Sequence, residues 1–268
     1  LILTVRDGRI VRDERIYDSA AVIAGLEKAR IDKELKTAAV VQQGLLSRTE
    51  RVGPFYQSVG DSVPCRAIGG DFFDLLELPS GDVGLVMGDV AGKGPAAALL
   101  ASMLLGMFTV EAPAGDGPGV TLARLNHRLA ARRIEARFAT LVYGVLSSGG
   151  QLTYANAGHN APALLTDRGI RRLDVGGPIL GAFDTATFEE ETVSLRQRDT
   201  IVMFTDGVTE ATNSDEEEFG EPRLIDCLSR SSDAAPPVLL RRIFDSVHHF
   251  SEHAEQHDDI TVTVTRFG

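Results

Sequence analysis

Cysteine, tryptophan and positive charge are what this sequence has little of. Two cysteines, Cys65 and Cys227, in 268 residues cannot build a disulfide framework, so a reducing compartment, the cytoplasm, is expected. Lysine and arginine number 27 against 38 aspartates and glutamates, a net charge of −11. That balance argues against a nucleic-acid binder, which needs a basic surface to neutralise phosphates. Long apolar runs are missing as well. The longest, Ala96 to Phe108, is shorter than a bilayer-spanning helix and contains Ser102 and Gly106. No signal peptide is visible. The first residue is Leu1 rather than Met, which reads as a piece of a longer protein. The length suits one large domain with an appendage.

What is present is a pattern of aspartates at strand ends. Phe72 to Leu78 reads as a strand, Pro79 to Asp82 as a turn and Val83 to Gly88 as the returning strand. If positions that sum to 160 face each other, Asp71 lies opposite Asp89, with Cβ atoms ~5 Å apart on one face. Two carboxylates that close repel unless a proton or a cation lies between them. Either a shared divalent metal or two loop-capping aspartates fits this hairpin. Near the other end, Asp199 to Thr205 reads as a buried strand ending in Asp206-Gly207, and Asp258-Asp259 opens the strand Ile260 to Thr265. Two such pairs converging at one sheet edge make a nest of hard oxygen ligands, suited to Mg²⁺ or Mn²⁺ rather than zinc.

The remaining elements follow from periodicity and punctuation. Residues 1–17 form a hairpin around Arg6-Asp7-Gly8, the remnant of an upstream domain, faintly similar to the closing hairpin of cystatin-like sensor domains. Asp18 or Ser19 caps a helix to about Ser47, a linker over residues 18–48. Ala24, Ile31, Ala38 and Leu45 fall seven apart along it, with Leu35 and Gln42 four after two of them, which fits pairing with a second copy of the chain or packing on its own domain. Its Val40–Leu46 end is expected to pack near the opening hairpin. From residue 49 onward, strands are expected at 55–63, 138–146, 151–156, 162–165, 170–175 and 188–195. Helices are expected at 96–110, 120–134, 222–229 and 237–251, with a flexible loop from Ala112 to Gly119. Nothing alternates as βαβ. The expected architecture is α+β, two stacked antiparallel sheets flanked by helices in an α-β-β-α sandwich, with an N-terminal linker helix.

Six stretches match one family in order: Ile68-Gly-Gly-Asp-Phe-Phe-Asp74, Gly88-Asp-Val-Ala-Gly-Lys-Gly94, Tyr154-Ala-Asn-Ala-Gly-His-Asn160, Leu180-Gly181, Thr205-Asp-Gly-Val-Thr-Glu210 and Asp258-Asp-Ile-Thr261. The chain resembles the PPM-type metal-dependent serine/threonine phosphatases, in their sporulation-phosphatase (SpoIIE/RsbU-like) branch, over roughly residues 40 to 267. The resemblance implies a two-ion Mn²⁺ or Mg²⁺ site. Asp89 would bridge the ions, the Val90 carbonyl and Asp71 would complete the first site, and Asp206 and Asp258 would hold the second. Asp259, which stands where many relatives have Asn, is counted with these metal-site residues. The implied reaction is hydrolysis of phosphoserine or phosphothreonine by a metal-activated water. The implied substrate is a phosphorylated anti-sigma-factor antagonist, a small STAS-domain protein.

Other residues are weighed beside that reading. Arg66 and Lys93 are candidate phosphate-binding cations, and the glycines of Gly88–Gly94 let backbone approach closely ahead of a helix N-terminus. No serine or cysteine has the base or phosphate-cradling loop that a covalent nucleophile needs. His159 is read as a structural loop residue. His248, His249, His253 and His257 lack cysteine partners for a zinc site and are read as helix face and loop. Asp215 to Glu218 is a solvated acidic loop. A diguanylate cyclase is excluded because Phe72 stands where that chemistry uses Glu, and a receiver domain because its βα units are missing. A catalytically idle PPM fold would have lost a ligand aspartate, and all are present.

Overall fold

A hairpin of β1 (Leu3–Arg6) and β2 (Arg9–Arg12) precedes the long helix α1 (Ser19–Leu45). Then come β3 (Glu50–Val52), β4 (Tyr56–Val63), β5 (Phe72–Glu77) and β6 (Val83–Val90), followed by helices α2 (Pro95–Glu111) and α3 (Pro118–Ala130). A run of strands follows: β7 (Ala139–Leu146), β8 (Gln151–Ala157), β9 (Ala163–Thr166), β10 (Gly169–Arg172), β11 (Gly176–Gly177), β12 (Glu191–Ser194) and β13 (Thr200–Phe204). The chain closes with α4 (Asp206–Thr209), α5 (Gly220–Arg230), α6 (Pro236–Phe250) and β14 (Ile260–Phe267). This computed structural model describes residues 3–6, 9–12, 19–45, 50–132, 138–252 and 254–268. Asp18, Leu46, Ser47 and His253, singled out from the sequence, lie outside them.

Period-two alternation decides which way each strand faces, and it explains why the strands read as continuously apolar. In β6, Val86 and Val90 pack outward on α2 and α3, while Leu85 and Met87 point inward at the second sheet. In β13, Ile201 and Met203 point inward, and Val202 and Phe204 outward onto α5 and α6. Three apolar layers result: helices on sheet, sheet on sheet, sheet on helices. One sheet runs β11-β8-β7-β6-β5, with β12 also on β8; the other runs β10-β9-β13-β14-β4-β3. This is the expected α-β-β-α sandwich. The sheets are antiparallel except where β11 joins β8 in parallel. The hairpin register also holds, with Phe72 opposite Gly88 and Glu77 opposite Val83.

Some expectations shift. The expected flexible loop from Ala112 instead continues α2 as a 3-10 turn, Ala112–Ala114, and Pro118 already begins α3. Pro95–Ala114 is therefore long and apolar enough to cross a membrane, yet half of it is buried here, with Leu104 and Phe108 fully enclosed. On α1, the residues meeting the domain are Leu35, Ala39 and Gln42, half-buried at helical spacing. Ile31 and Leu45, the expected seam, are 50% and 54% exposed, as is most of the helix from Ile23 on. The expected contact near the opening hairpin comes down to Gln42. Its amide donates to the Gly69 carbonyl at 2.7 Å and accepts the Gly69 N–H at 3.2 Å.

Candidate metal centre

The inward-facing positions of the strands converge where the apolar layer between the sheets ends. Asp71 precedes β5 in phase with Phe73 and Leu75, and Asp89 lies in β6 in phase with Leu85 and Met87, so both continue the inter-sheet face. From the other sheet, Thr205 follows β13 in phase with Met203, and Thr261 lies in β14 opposite in phase to the outward Val262. The two hydroxyls meet Asp71: Thr205 Oγ1 donates to its Oδ2 at 2.8 Å and Thr261 Oγ1 at 2.6 Å. Asp71, 4% exposed, is thus pinned across the sandwich.

Glycines make the convergence sterically allowed. A Cβ on Gly70 would lie 2.8 Å from the Val90 carbonyl oxygen and 3.4 Å from Asp89 Oδ1. Gly70 therefore marks where backbone, the Val90 carbonyl and a carboxylate come together. Val90 lies two residues beyond the last β5 partner of β6, so its carbonyl faces this corner instead of a ladder hydrogen bond to β5. A Cβ on Gly69 would strike the Asp259 carboxylate.

The electrostatics are those of crowded acids. Burial, then the charge of Asp89, pushes the Asp71 carboxyl well above the usual range. The Asp89 carboxyl rises to about 7, through burial and then the charges of Asp206 and Asp258. Asp206, the first residue of α4, is raised by burial and by Asp258. Three acids raised in this way, with Asp258 beside them, need protons or a cation among them. The two buried carboxylates, the Val90 carbonyl at a position where no side chain fits, and two further aspartates form an all-oxygen donor set that fits Mg²⁺ or Mn²⁺.

Asp259 has a different occupation. Its Oδ1 accepts the Cys65 N–H at 2.8 Å and its Oδ2 the Gly70 N–H at 2.7 Å, so it holds the loop that carries Asp71. Cys65, Asp258 and Asp259 bring ligand atoms within 4.8 Å of one another. Burial and then Asp259 push the Cys65 thiol up to about 11, so it stays protonated, a poor ligand. Lys93 pairs with Asp258 Oδ2 at 2.9 Å and donates to the His257 carbonyl; it neutralises an aspartate of the nest. Arg66 is exposed, and its guanidinium comes within 3.8 Å of the site a Cβ would take on Gly94, beside the α2 N-terminus. That N-terminus has Pro95 in its first turn and no side-chain cap, and Ala97 in the same turn lies beside Gly70.

His159 is buried, its Nδ1 2.8 Å from Thr140 Oγ1, and its backbone is clasped by Asn156. Burial lowers its pKa to about 4, so it is neutral and tied into the loop. Asp74 turns away and accepts the N–H of Leu75. Reading the sequence places Gln42 on the stripe of α1, in a segment expected near the opening hairpin, but does not single out Thr205 or Thr261. The one available signal was a threonine at one end of each Asp motif, Thr205-Asp206 and Asp258-Asp-Ile-Thr261.

Comparison with known proteins bears on the fold and the family. RsbU, a phosphoserine phosphatase of Bacillus subtilis, is 28% identical over 255 residues, covering 93% of this chain and 74% of RsbU. The SiaA-PP2C domain of Pseudomonas aeruginosa has the same fold: TM-score 0.79, 18% identity, 91% of this chain and 98% of that one. The catalytic domain of the serine/threonine phosphatase PstP, solved with two manganese ions, superposes at TM-score 0.58 and 16% identity, over 80% and 98% of the chains. The chain spans from 36% to 74% of the length of the curated relatives it matches. The family model for stage II sporulation protein E matches residues 79–268, most of the sequence. This chain therefore belongs to the SpoIIE family, in the SpoIIE/RsbU branch of the PPM-type phosphatases.

Proposed function

We propose that the chain is a metal-dependent protein phosphatase that hydrolyses phosphoserine or phosphothreonine. The observation that carries this reading is the convergence of Asp71, Asp89, Asp206 and Asp258, in which burial and mutual charge raise the pKa of Asp71, Asp89 and Asp206. Asp89 would serve both ions. Asp71 and the Val90 carbonyl would complete one site, and Asp206 and Asp258 the other. Two bound divalent ions would supply an activated water and neutralise charge on the phosphoryl oxygens. Asp259 contributes by fixing the loop before Asp71. Arg66 and the α2 N-terminus are positioned to orient the phosphate, the former bidentately. Lys93 acts by way of Asp258.

The substrate proposed is a phosphorylated STAS-domain anti-sigma-factor antagonist in the cytoplasm, in line with the kinship to RsbU. Residues 1–17 would be the tail of an upstream domain, 18–48 a linker through which two copies pair, and 49–268 the phosphatase domain. Purified chain with Mn²⁺ or Mg²⁺ should release phosphate from a phosphoserine protein and from p-nitrophenyl phosphate, and excess chelator should abolish both. Turnover that persists in chelator, or a covalent phospho-enzyme, removes the two-ion reading.

A further inference from the structure

Next to the aspartates the surface falls into a groove of about 780 Å³, and Asp258 and Lys93 form the end that meets the metal centre. Its floor is apolar: buried Val247 and half-buried Phe244 on α6, and half-buried Ile260 at the start of β14. Its rim is acidic. Glu210, at the end of α4, Asp245 on α6 and Glu255, before β14, are exposed and make no ion pair among the described residues. Lys93 is the only lysine or arginine among the described lining residues, and Asp258 already engages it. The groove is in the size range that holds a drug-sized ligand, far more than a phosphoserine side chain fills.

We propose that this groove docks the stretch of substrate polypeptide beside the phosphorylated residue, and that the stretch it fits pairs lysine or arginine with an apolar side chain. The inference rests on the phosphatase reading and deepens it to a substrate class. A phosphoserine dianion approaching past three unpaired carboxylates is repelled unless its own flank brings positive charge. The same basic flank meets the rim while an apolar neighbour covers Phe244 and Val247. The rim thus separates phosphoproteins by the charge next to the phosphate, and an acidic or neutral flank is disfavoured before the phosphate reaches the aspartates.

Two phosphoserine peptides sharing one apolar residue, one flanked by lysine and arginine and one by aspartate and glutamate, test this. With Mn²⁺, kcat/KM for the basic peptide should exceed that for the acidic one roughly tenfold. In D245K/E255K, turnover of the basic peptide relative to p-nitrophenyl phosphate should drop about tenfold, and high salt should shrink both differences. Equal kcat/KM for the two peptides, or an unchanged ratio in the double variant, overturns the groove while leaving the phosphatase intact. If p-nitrophenyl phosphate is not hydrolysed with either ion, the phosphatase reading falls instead. Fluorescence anisotropy of the labelled peptides then decides the groove. Tighter binding of the basic peptide, lost in D245K/E255K, upholds it, and charge-independent binding overturns it.

Discussion

The aspartate nest and helix α1 are opposites in how firmly the chain holds them. Asp71 is enclosed, gripped by hydroxyls from two strands of the other sheet, and its loop is fastened by Asp259. Over its described side chains, α1 offers the domain Leu35, Ala39 and Gln42, and leaves Ile23, Leu26, Ile31, Val40, Val41 and Leu45 largely in solvent. Asp71 and its loop have one arrangement, because moving them breaks the bonds from Thr205, Thr261 and Asp259 at once. The helix can be displaced at small cost, because most of its length has nothing to lose. They meet at Gln42 and Gly69, immediately before Gly70 and Asp71. A rigid site with a loosely held helix on its shoulder is expected to respond very unequally to substitution.

The largest effect should come from Asp89→Asn, which removes the charge meant for both ions; phosphate release with Mn²⁺ should fall by about 10³-fold or more. Asp74→Asn, on the far face of the same hairpin, should cost little. Equal losses in the two variants would erase the distinction between inward and outward positions. Next come Thr205→Val and Thr261→Val, which leave every proposed ligand in place and loosen Asp71. Mn²⁺ affinity by calorimetry should weaken about 10- to 100-fold for the pair, as for other residues that orient a ligand. Unchanged affinity would mean that the hydroxyls only fill space.

A pH series probes the nest without substitution. The Asp89 carboxyl is held up to about 7 when folded, against an ordinary ~3.9 when unfolded. The folded state binds that proton more tightly, so the contribution is complete below about pH 4 and is lost as pH rises through about 7. In chelator, Tm should therefore fall from about pH 5 to about pH 8, and Mn²⁺ should raise it most at the upper end, where protons compete least. A Tm independent of pH in chelator would contradict the crowding.

The smallest effects should arise on α1. Gln42→Leu should raise the Mn²⁺ concentration for half-maximal activity by a few-fold, through the Gly69 loop. Ile31→Lys should weaken self-association in light scattering and leave Tm within about 1–2 °C, as for exposed sites. If the unsubstituted chain is monomeric at every concentration tried, the exposed seam serves no pairing.

The same contrast explains what was legible in the sequence. Strands and register announced themselves locally, because alternation and a four-residue turn fix which residues face each other; Phe72 opposite Gly88 follows from that alone. The sandwich followed from apolar runs with no βαβ alternation. The aspartates stood out as costly residues at the ends of apolar strands. The threonines did not, because Thr205 just after β13 and Thr261 in β14 look ordinary until the fold brings them to Asp71 across sequence separations of 134 and 190. The face of α1 was legible in part. Leu35 and Gln42, four after Ile31 and Ala38, do turn to the domain, while Ile31 and Leu45 of the sevenfold series stay largely in solvent.

The ion pair between Lys93 and Asp258 has a consequence for how the sandwich assembles. Asp71 and Asp89 arrive on one sheet and Asp206 and Asp258 with the other, so closing the sheets drives like charges together. Lys93, on the turn just after β6, travels with the first group and reaches Asp258 in the second. The last approach of the two halves therefore meets an attraction as well as a repulsion, at the corner where the repulsion is greatest. The folded chain thus holds one counter-charge of its own across the two sheets, at a corner otherwise lined by acids.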